Sequence, residues 1–461
     1  MDVPLFADTV AAIATAQGRG AVALVRVSGP DALAVLLRLA PALREAPPPR
    51  TQRLVRLAHP ETGETLDRAL AAYFPAPGSY TGEDTVELAT HGGVLTPQLV
   101  LAAALAAGAR AAEPGEFTRR AYLNGRLDLL QAEAVADLID GRSPALHRAA
   151  VHQMERGLSR RIEALREALV GAQALLVYGI DFPEEDEPPV PPARIRAAAE
   201  EVRARIDGLL ATAPEGELLR EGALVVLAGR PNSGKSSLFN ALLGTERAIV
   251  TEIPGTTRDA LEAAVTLDGY PFRLVDTAGL RETADRVEEI GIEVARRYLA
   301  AAHVVLFCAE AGRPLQEDEA AFLRERKPGT TVLVRTKADL AGDAAPADRE
   351  EAPGGVRTVR LAARTGEGLP ALREVLLRTA FGGILGDPGE APLVTRERQA
   401  RALREARAEV EAFLEAWEGG VPPEFAATHL QAAAGALEDL LGTIGTEDVL
   451  DRVFSQFCVG K

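Results

Sequence analysis

The sequence contains little cysteine. Cys308 and Cys458 are the two cysteines in 461 residues. Two cysteines far apart in the chain exclude a disulfide framework and a cysteine-rich zinc module, and they favour a reducing compartment. The six histidines show no metal-binding spacing of the H-x-x-x-H kind, so we predict no zinc site.

Long apolar runs are missing as well. No run reaches the roughly 18 residues of a transmembrane helix. The opening MDVPLFADTV lacks the basic and apolar regions of a signal peptide. We therefore expect a cytoplasmic protein without stable membrane insertion.

Lysine is nearly absent. Acidic residues outnumber basic ones by 67 to 51, a net charge of −16, which excludes a chain-wide phosphate-binding surface. Any contact with nucleic acid must then be local or shared with a partner. Where arginine is so strongly favoured, a surviving lysine indicates a position that needs a compact ammonium group. The lysines are Lys235, Lys327, Lys337 and Lys461.

The pattern of apolar residues predicts a multidomain chain of α/β and all-α parts. Residues 1–123 mix strand-like and helical runs, so we predict an α/β domain. Residues 124–216 and 384–461 have helical periodicity. Between them, residues 217–383 alternate β-rich runs with helices, which is typical of a doubly wound, mostly parallel sheet. We expect this block to be a domain inserted into the helical one.

A phosphate-binding loop follows the apolar run ALVVLAG. Gly229 to Ser236 reads G-x-x-x-x-G-K-S between a predicted strand and a predicted helix. In such a P-loop, backbone N–H groups surround phosphate oxygens, Lys235 reaches the β and γ phosphates, and Ser236 holds Mg²⁺.

Two further segments follow at the spacing of P-loop GTPases. Asp276-Thr277-Ala278-Gly279 ends the apolar run FRLV, where a carboxylate holds Mg²⁺ through water and the Gly279 N–H meets the γ phosphate. Thr256 and Thr257 lie between this segment and the P-loop, where a switch hydroxyl responds to nucleotide and metal.

Selectivity for the guanine base is predicted to come from the segment Thr336-Lys337-Ala338-Asp339. Asp339 can accept two hydrogen bonds from the guanine edge, and Lys337 can lay its stem over the base. GTPases have asparagine where this chain has Thr336, so we expect weaker affinity than in a Thr336→Asn variant. Ala362-Ala363-Arg364 is similar to the S-A-K element, whose central N–H meets the base, but it lacks the serine.

Leu280 directly follows the DTAG segment, where Ras-like enzymes carry a water-orienting glutamine. Leucine cannot position water, so hydrolysis needs another polar group. The acidic residues of the next stretch are the candidates, and the residues alone do not choose among Glu282, Asp285, Glu288 and Glu289.

Motifs along nearly the whole chain resemble the family of tRNA-modification GTPases called MnmE or TrmE. An FCVGK ending combined with an upstream SYTGED block is specific to that family. In chain order the matching motifs are AAIAT (11–15) with GRG (18–20), SYTGED (79–84), HGG (91–93), PGEF (114–117), NGRLD (124–128), QAEAVADLID (131–140), GRPNSGK (229–235), GTTRD (255–259) and FSQFCVGK (454–461).

The resemblance implies a homodimer formed through N-terminal domains that are similar to folate-binding one-carbon enzymes. It also implies that the flavoprotein MnmG is a partner and that C5 of the wobble uridine of certain tRNAs receives an aminomethyl or carboxymethylaminomethyl group. The carbon would come from 5-formyl- or methylene-tetrahydrofolate. GTP hydrolysis, stimulated by K⁺, would drive domain rearrangement.

By the same resemblance, site residues transfer position by position. Glu288 would align the attacking water, Ser236 and Thr257 would meet Mg²⁺, and Asn232, Thr251, Ile253 and Thr256 would bind K⁺. Folate contacts would come from Arg26, Glu87, Arg126 and Lys461. The full nucleotide-binding set would be Asn232, Ser233, Gly234, Lys235, Ser236, Ser237, Thr251, Glu252, Ile253, Pro254, Gly255, Thr256, Thr257, Asp276, Thr277, Ala278, Gly279, Thr336, Lys337, Ala338, Asp339, Ala362, Ala363 and Arg364.

A second interpretation stays open: a ribosome-assembly or signalling GTPase that acts as a switchable binding module. It explains the central domain equally well. It leaves residues 1–123 and the FCVGK ending without a role. Binding of a one-carbon folate separates the two interpretations.

Overall fold

The computed structural model describes residues 7–141, 143–181, 190–244, 262–276, 288–341, 352–385, 394–442, 447–455 and 457–460. Its backbone contacts divide the chain into two compact units. The first comprises Met1–Ala136, Gln153–Glu167 and Ala434–Lys461, and the second comprises Asp137–His152 and Ala168–Ala433.

The first unit contains a mixed sheet with the helices Ala32–Leu39 and Thr96–Ala106 packed against one face. The described strands follow the order β3-β4-β5-β2-β1-β6, and all neighbours are antiparallel except β1 and β6. Val25, Leu57 and Leu88 pack against the covering helices in one apolar core. The elements are β1 (Val10–Ile13), β2 (Val22–Ser28), α1 (Ala32–Leu39), β3 (Arg53–Ala58), β4 (Thr65–Phe74), β5 (Thr85–His91), α2 (Thr96–Ala106), β6 (Arg110–Ala111) and α3 (Glu116–Leu123).

The opposite face of this sheet presents an apolar row in register across four strands. Leu54 pairs with Leu70, Leu70 with Ala89, and Ala89 with Leu24. Leu54 is 70% exposed and Leu70 is 39% exposed. Strand residues alternate between faces, so these four side chains point away from the helix-covered core. We call Leu24, Leu54, Leu70 and Ala89 the open-face row.

The SYTGED motif forms part of a buried polar network. Arg120 of α3 is 0% exposed, and it donates to Asp8 Oδ1 at 2.8 Å and to both Glu83 carboxylate oxygens at 3.2 Å. Ser28 donates to Glu83 Oε2 at 2.8 Å. A buried charge is tolerated when it is paired and hydrogen-bonded. These bonds therefore fix α3 against the strands.

The chain then continues through five helices, where the 3.6-residue periodicity of the sequence predicts them. Asp128 begins the first of them, because its side chain accepts the Gln131 N–H at 2.8 Å and Gln131 Oε1 accepts the Asp128 N–H at 3.1 Å. The helices are α4 (Leu129–Asp140), α5 (Pro144–Met154), α6 (Gly157–Asp181), α7 (Pro192–Leu210) and α8 (Ala213–Glu221).

The second unit contains a doubly wound sheet, as the β-rich texture predicts. The described strands have the order β12-β11-β10-β7-β9-β8, and every pair is parallel except β8 with β9. Its elements are β7 (Ala223–Ala228), α9 (Lys235–Gly244), β8 (Glu262–Leu267), β9 (Tyr270–Asp276), α10 (Glu288–Ala301), β10 (Val304–Glu310), α11 (Glu317–Arg324), β11 (Thr331–Thr336), α12 (Ala338–Ala341), β12 (Arg357–Arg360) and α13 (Leu369–Leu385).

The chain enters and leaves this sheet block at adjacent points. A Cβ built on Gly216 of α8 would lie 2.0 Å from Val394 O, so the two segments touch backbone to backbone. Beyond them, α14 (Glu397–Glu418) packs along α7. The described fold is therefore a helical part interrupted by an inserted α/β block.

The last segments return to the first unit. After α15 (Pro423–Leu441) and α16 (Glu447–Phe454), Phe454 and Phe457 pack together, with ring centroids 5.8 Å apart. Val459 bridges to Pro114, and a Cβ built on Gly460 would lie 2.5 Å from Ile13 O. The described part of the FCVGK ending, residues 457–460, is thus held against the N-terminal sheet.

None of the described helices combines the length and the apolar character that are needed to cross a bilayer.

The two thiols differ in accessibility. Cys308 in β10 is buried, and this burial raises the pKa of its thiol to about 12, whereas Cys458 is exposed. We expect one thiol per native chain to react with a disulfide reagent at pH 8, and two after denaturation, because the thiolate is the nucleophile. Spectrophotometric titration measures the count. Cys458→Ser should leave no reactive native thiol, and two fast native thiols would contradict the fold.

Candidate functional site

The predicted nucleotide-binding segments meet at one edge of the second sheet. The P-loop follows β7, Asp276 ends β9, the Thr336 segment follows β11, and Ala362 follows β12. These strands are parallel, so their carboxyl ends lie on the same edge. Strand order reverses between β7 and β10, which is where doubly wound sheets bind ligands.

The P-loop backbone requires glycine at two positions. Gly229 has φ 134°, and a Cβ there would lie 2.3 Å from Cys308 O. Gly234 has φ 88°, and a Cβ there would lie 3.1 Å from the Thr336 Cβ. Any side chain would push the loop away from β10 and β11. The close approach therefore sets the curvature that lets the loop amides face one point.

Lys235 lies within this loop. Its Nζ donates to Gly229 O at 3.0 Å and to Arg230 O at 2.7 Å, and the residue is 4% exposed. Carbonyl oxygens of the loop itself thus hold the ammonium group. A phosphate reaching the loop can replace them as the partner of this charge, which a lysine presents as a compact point.

Ser236 and Asp276 form an oxygen pair beside the loop. Ser236 Oγ donates to Asp276 Oδ2 at 2.9 Å, and Asp276 is largely buried. Mg²⁺ prefers hydroxyl, carboxylate and phosphate oxygens in near-octahedral geometry. The donor set therefore fits magnesium, and the metal-binding roles of these two residues stay predictions.

Thr336 joins the base-recognition segment to the P-loop. Its hydroxyl donates to Ser233 O at 2.7 Å, and the residue is 2% exposed. On the other side, the Ala338 N–H donates to Leu361 O at 3.1 Å, which joins the segment to the one that contains Ala362, Ala363 and Arg364. The described structure thus brings all three segments together, while the role of each residue stays a prediction.

Two acidic partners were missed by sequence reasoning. Glu310 ends β10 in register with Thr336, and its carboxylate lies 3.3 Å from Lys337 Nζ. The P-loop residue Arg230 donates to Asp318 at 2.5 Å, and this bond lowers the pKa of the Asp318 carboxyl and raises that of the guanidinium. Glu310 could have been predicted from the sequence, because it ends a parallel strand next to the one that the Lys337 loop follows.

Several predicted residues lie outside the described part of the chain, as does the Glu288 side chain, although Glu288 is the first residue of α10. Those residues are Thr251, Glu252, Ile253, Pro254, Gly255, Thr256, Thr257, Thr277, Ala278, Gly279 and Lys461.

Two of the predicted folate residues, Arg26 and Glu87, lie beside the open-face row. Arg26 and Glu87 pair across β2 and β5, and Arg26 Nη2 donates to Glu87 Oε1 at 2.8 Å. The guanidinium also lies 5.4 Å from the centre of the Tyr80 ring and 5.6 Å from that of Phe117. Burial raises the pKa of Tyr80, and its bond to Thr118 and the Arg26 charge counter this only in part.

Arg26 keeps one donor unused. Its side chain is 11% exposed, and Nη1 is buried without a hydrogen-bond partner among the described residues. A buried, unsatisfied N–H costs about 1–3 kcal/mol, so this atom favours an acceptor from a ligand. Arg126 is exposed, with its stem against Gly82 of the SYTGED motif.

Together, a P-loop at the switch point, an adjacent magnesium-type oxygen pair and joined base-recognition segments define a P-loop GTPase domain inserted into a helical domain. The family profile for the MnmE helical domain matches residues 129–458, and the profile for the GTP-binding protein TrmE N-terminus matches residues 9–126. The chain belongs to the MnmE family of tRNA modification GTPases.

Individual relatives match over their whole length. The tRNA modification GTPase MnmE of Moorella thermoacetica is 42% identical, covering 98% of this chain and 99% of that protein. That of Chloroflexus aurantiacus is 43% identical, covering 98% and 100%. The solved G domain of the T. maritima FeoB iron transporter is 33% identical, covering 34% of this chain and 98% of that domain, with a TM-score of 0.26.

Replacing Thr336 by valine removes the hydroxyl that donates to Ser233 O but keeps the side-chain shape. Losing a buried bond of this kind costs about 1–3 kcal/mol, so we expect GDP and GTP to bind about tenfold or more weakly. Fluorescence titration with a labelled guanine nucleotide measures this. Thr336→Ser retains the donor and should bind nucleotide as wild type does. Wild-type affinity in Thr336→Val would show that the bond to Ser233 O does not support nucleotide binding. The expected gain in Thr336→Asn stays a prediction.

Proposed function

We propose that this chain is a K⁺-stimulated GTPase that works with the flavoprotein MnmG to modify C5 of the wobble uridine of certain tRNAs in the cytoplasm. Membership of the family makes it a tRNA modification GTPase. The ion, the partner, the folate and the modified atom are what the proposal adds. The convergence of the P-loop, Asp276 and the Thr336 segment on one sheet edge is the observation that supports it most.

In the proposed hydrolysis, the P-loop amides bind the phosphate oxygens and Lys235 exchanges its loop carbonyls for the β and γ phosphates. Asp339 accepts hydrogen bonds from the guanine edge, while Thr336 holds its segment against the P-loop. Ser236 and Thr257 would hold Mg²⁺, which would supply positive charge against the phosphates. Glu288, at the start of α10, orients the attacking water.

K⁺ is proposed to bind at Asn232 together with Thr251, Ile253 and Thr256. Asn232 has φ 61°, a left-handed conformation that asparagine tolerates better than most residues. This backbone conformation sets the direction in which the Asn232 side chain, which carries the amide oxygen, leaves the P-loop. A bound cation supplies there the positive charge that other GTPases obtain from an arginine finger.

A one-carbon tetrahydrofolate is proposed to bind at the face of the N-terminal sheet. The unused Arg26 Nη1 can donate to a ligand carboxylate or carbonyl, and Glu87 can accept from a pterin edge. Tyr80 and Phe117 provide apolar surface around them. Arg126 and Lys461 complete the proposed set.

The open-face row supports the proposed homodimer. Four apolar residues lie in register on this sheet face. Burying them would be favourable, because each Å² of apolar surface removed from water contributes about 25 cal/mol of free energy. A second copy presents the same row, so a two-fold axis can pack one against the other. Arg26 and Glu87, in the neighbouring register row, would then lie at the edge of that interface.

Substituting Glu288 by alanine should abolish hydrolysis without abolishing nucleotide binding. We expect turnover to fall by about a hundredfold or more, because the water loses the group that orients it. Phosphate release measures turnover, and titration measures binding. Glu289→Ala is the matched control and should retain activity; full turnover in Glu288→Ala would reassign the role to a neighbouring acid.

The same assay run in KCl and in NaCl tests the cation. We expect faster turnover in K⁺ at equal ionic strength, because Na⁺ is too small for a site built for K⁺. Equal rates in the two salts would remove the ion from the mechanism.

Substituting Arg26 by methionine tests the folate site. Because a charge-assisted bond contributes about 1.5–3 kcal/mol, the Kd for 5-formyltetrahydrofolate should rise by at least about tenfold. Isothermal titration calorimetry measures it. Arg56→Met, at an exposed position of β3, is the control and should bind as wild type. If wild-type protein binds no folate, the switchable-module interpretation is favoured instead.

A further inference from the structure

The β8–β9 hairpin of the nucleotide-binding block touches the first turn of helix α5. Asp268 and Gly269 form its two-residue turn, and their φ values of 48° and 88° match the twist of tight hairpins. Gly269 O accepts the Ala145 N–H at 3.2 Å, and a Cβ built on Gly269 would lie 3.7 Å from Pro144 Cβ. A carbonyl from the hairpin therefore satisfies one of the open N–H groups at the start of the helix.

The contact includes side chains as well as this bond. Ala145 is 5% exposed and belongs to the same apolar core as Leu267 and Phe272 of the hairpin. Ser143 fixes the helix start, since its Oγ accepts the Leu146 N–H at 3.1 Å. The first turn of α5 is thus packed as part of the sheet block.

The hairpin also packs against α13. The Tyr270 ring lies 5.0 Å from that of Phe381, and the Phe272 ring packs edge-on against the same ring at 5.4 Å. Arg373 lies 3.7 Å from Asp268. The turn is therefore held between two helices.

Strand β9 connects this turn to the nucleotide site. It runs from Tyr270 to Asp276, about 20 Å at roughly 3.3 Å per residue, and it is paired on both sides by β7 and β8. Its far end is Asp276, which accepts from Ser236. Pairing on both sides restrains the strand along its length, so it connects Asp276 directly to the turn at Gly269.

We propose that the Asp268–Gly269 turn is the contact through which the nucleotide state of the sheet block positions helix α5. In sequence the hairpin lies between the two segments that contain the predicted switch residues Thr257 and Gly279. The inference rests on the proposed use of GTP hydrolysis to drive tRNA modification.

A reversible crosslink tests the proposal. Pro144→Cys with Gly269→Cys places the two Cβ atoms about 3.7 Å apart, close to the ~3.8 Å of native disulfides. Cys458→Ser removes the exposed native thiol, and Cys308 is buried. With the crosslink oxidised, we expect GTP hydrolysis within about twofold of the reduced protein and tRNA modification at least tenfold slower. Dithiothreitol should restore modification.

Equal modification in the oxidised and reduced forms would overturn the proposal. Loss of hydrolysis on oxidation would overturn it too, since the turn would then belong to the hydrolytic machinery. Each single-cysteine variant in the same background controls for strain at Gly269 and should be insensitive to oxidant. Failure of the reduced and wild-type proteins to modify tRNA would instead refute the proposed function.

A second measurement is independent of tRNA. Amide hydrogen exchange across residues 145–150 of the wild-type chain is compared in the nucleotide-free, GDP-bound and GTP-analogue-bound states. We expect at least a threefold change in exchange rate, because Gly269 O protects the Ala145 N–H directly. Identical rates in all three states would overturn the proposal whatever the tRNA assay shows.

Discussion

The nucleotide site depends on how closely the P-loop backbone approaches the neighbouring strands. Gly229 rests on the Cys308 carbonyl, and the Thr336 hydroxyl holds Ser233 O at 2.7 Å. These contacts place a loop from the first strand of the sheet against a loop from the fifth strand in chain order. The predicted phosphate-binding and base-binding segments are therefore held together by direct contacts.

A similar dependence holds in the first unit, where the fully buried Arg120 is the central group. Its bonds to Asp8 and Glu83 place α3 over the sheet, and α3 brings Phe117 against Arg26. The neighbouring arginine is left with a buried donor that has no described partner. This unsatisfied N–H of Arg26, whose charge is paired with Glu87, is the feature that points to a ligand.

Much of the nucleotide site could be read from local order along the chain. The P-loop, Asp276 and the Thr336 segment each follow an apolar strand, and parallel strands place such positions on one edge. The Thr336–Ser233 bond and the contact of Gly269 with α5 could not be read in this way. Each joins residues whose distance depends on the twist of the sheet and on side-chain packing.

Several motifs that sequence comparison treats separately meet in space. Gly92 of HGG lies so close to Gly20 of GRG that a Cβ would come within 2.2 Å of the Gly20 carbonyl. The FCVGK ending meets the first strand at Ile13. The amino-acid sequence by itself determined the elements, their order and the phosphate-binding loop, because periodicity and glycine spacing act over a few residues. Only the tertiary structure decided which distant backbones touch, because close approach depends on the shapes of both surfaces.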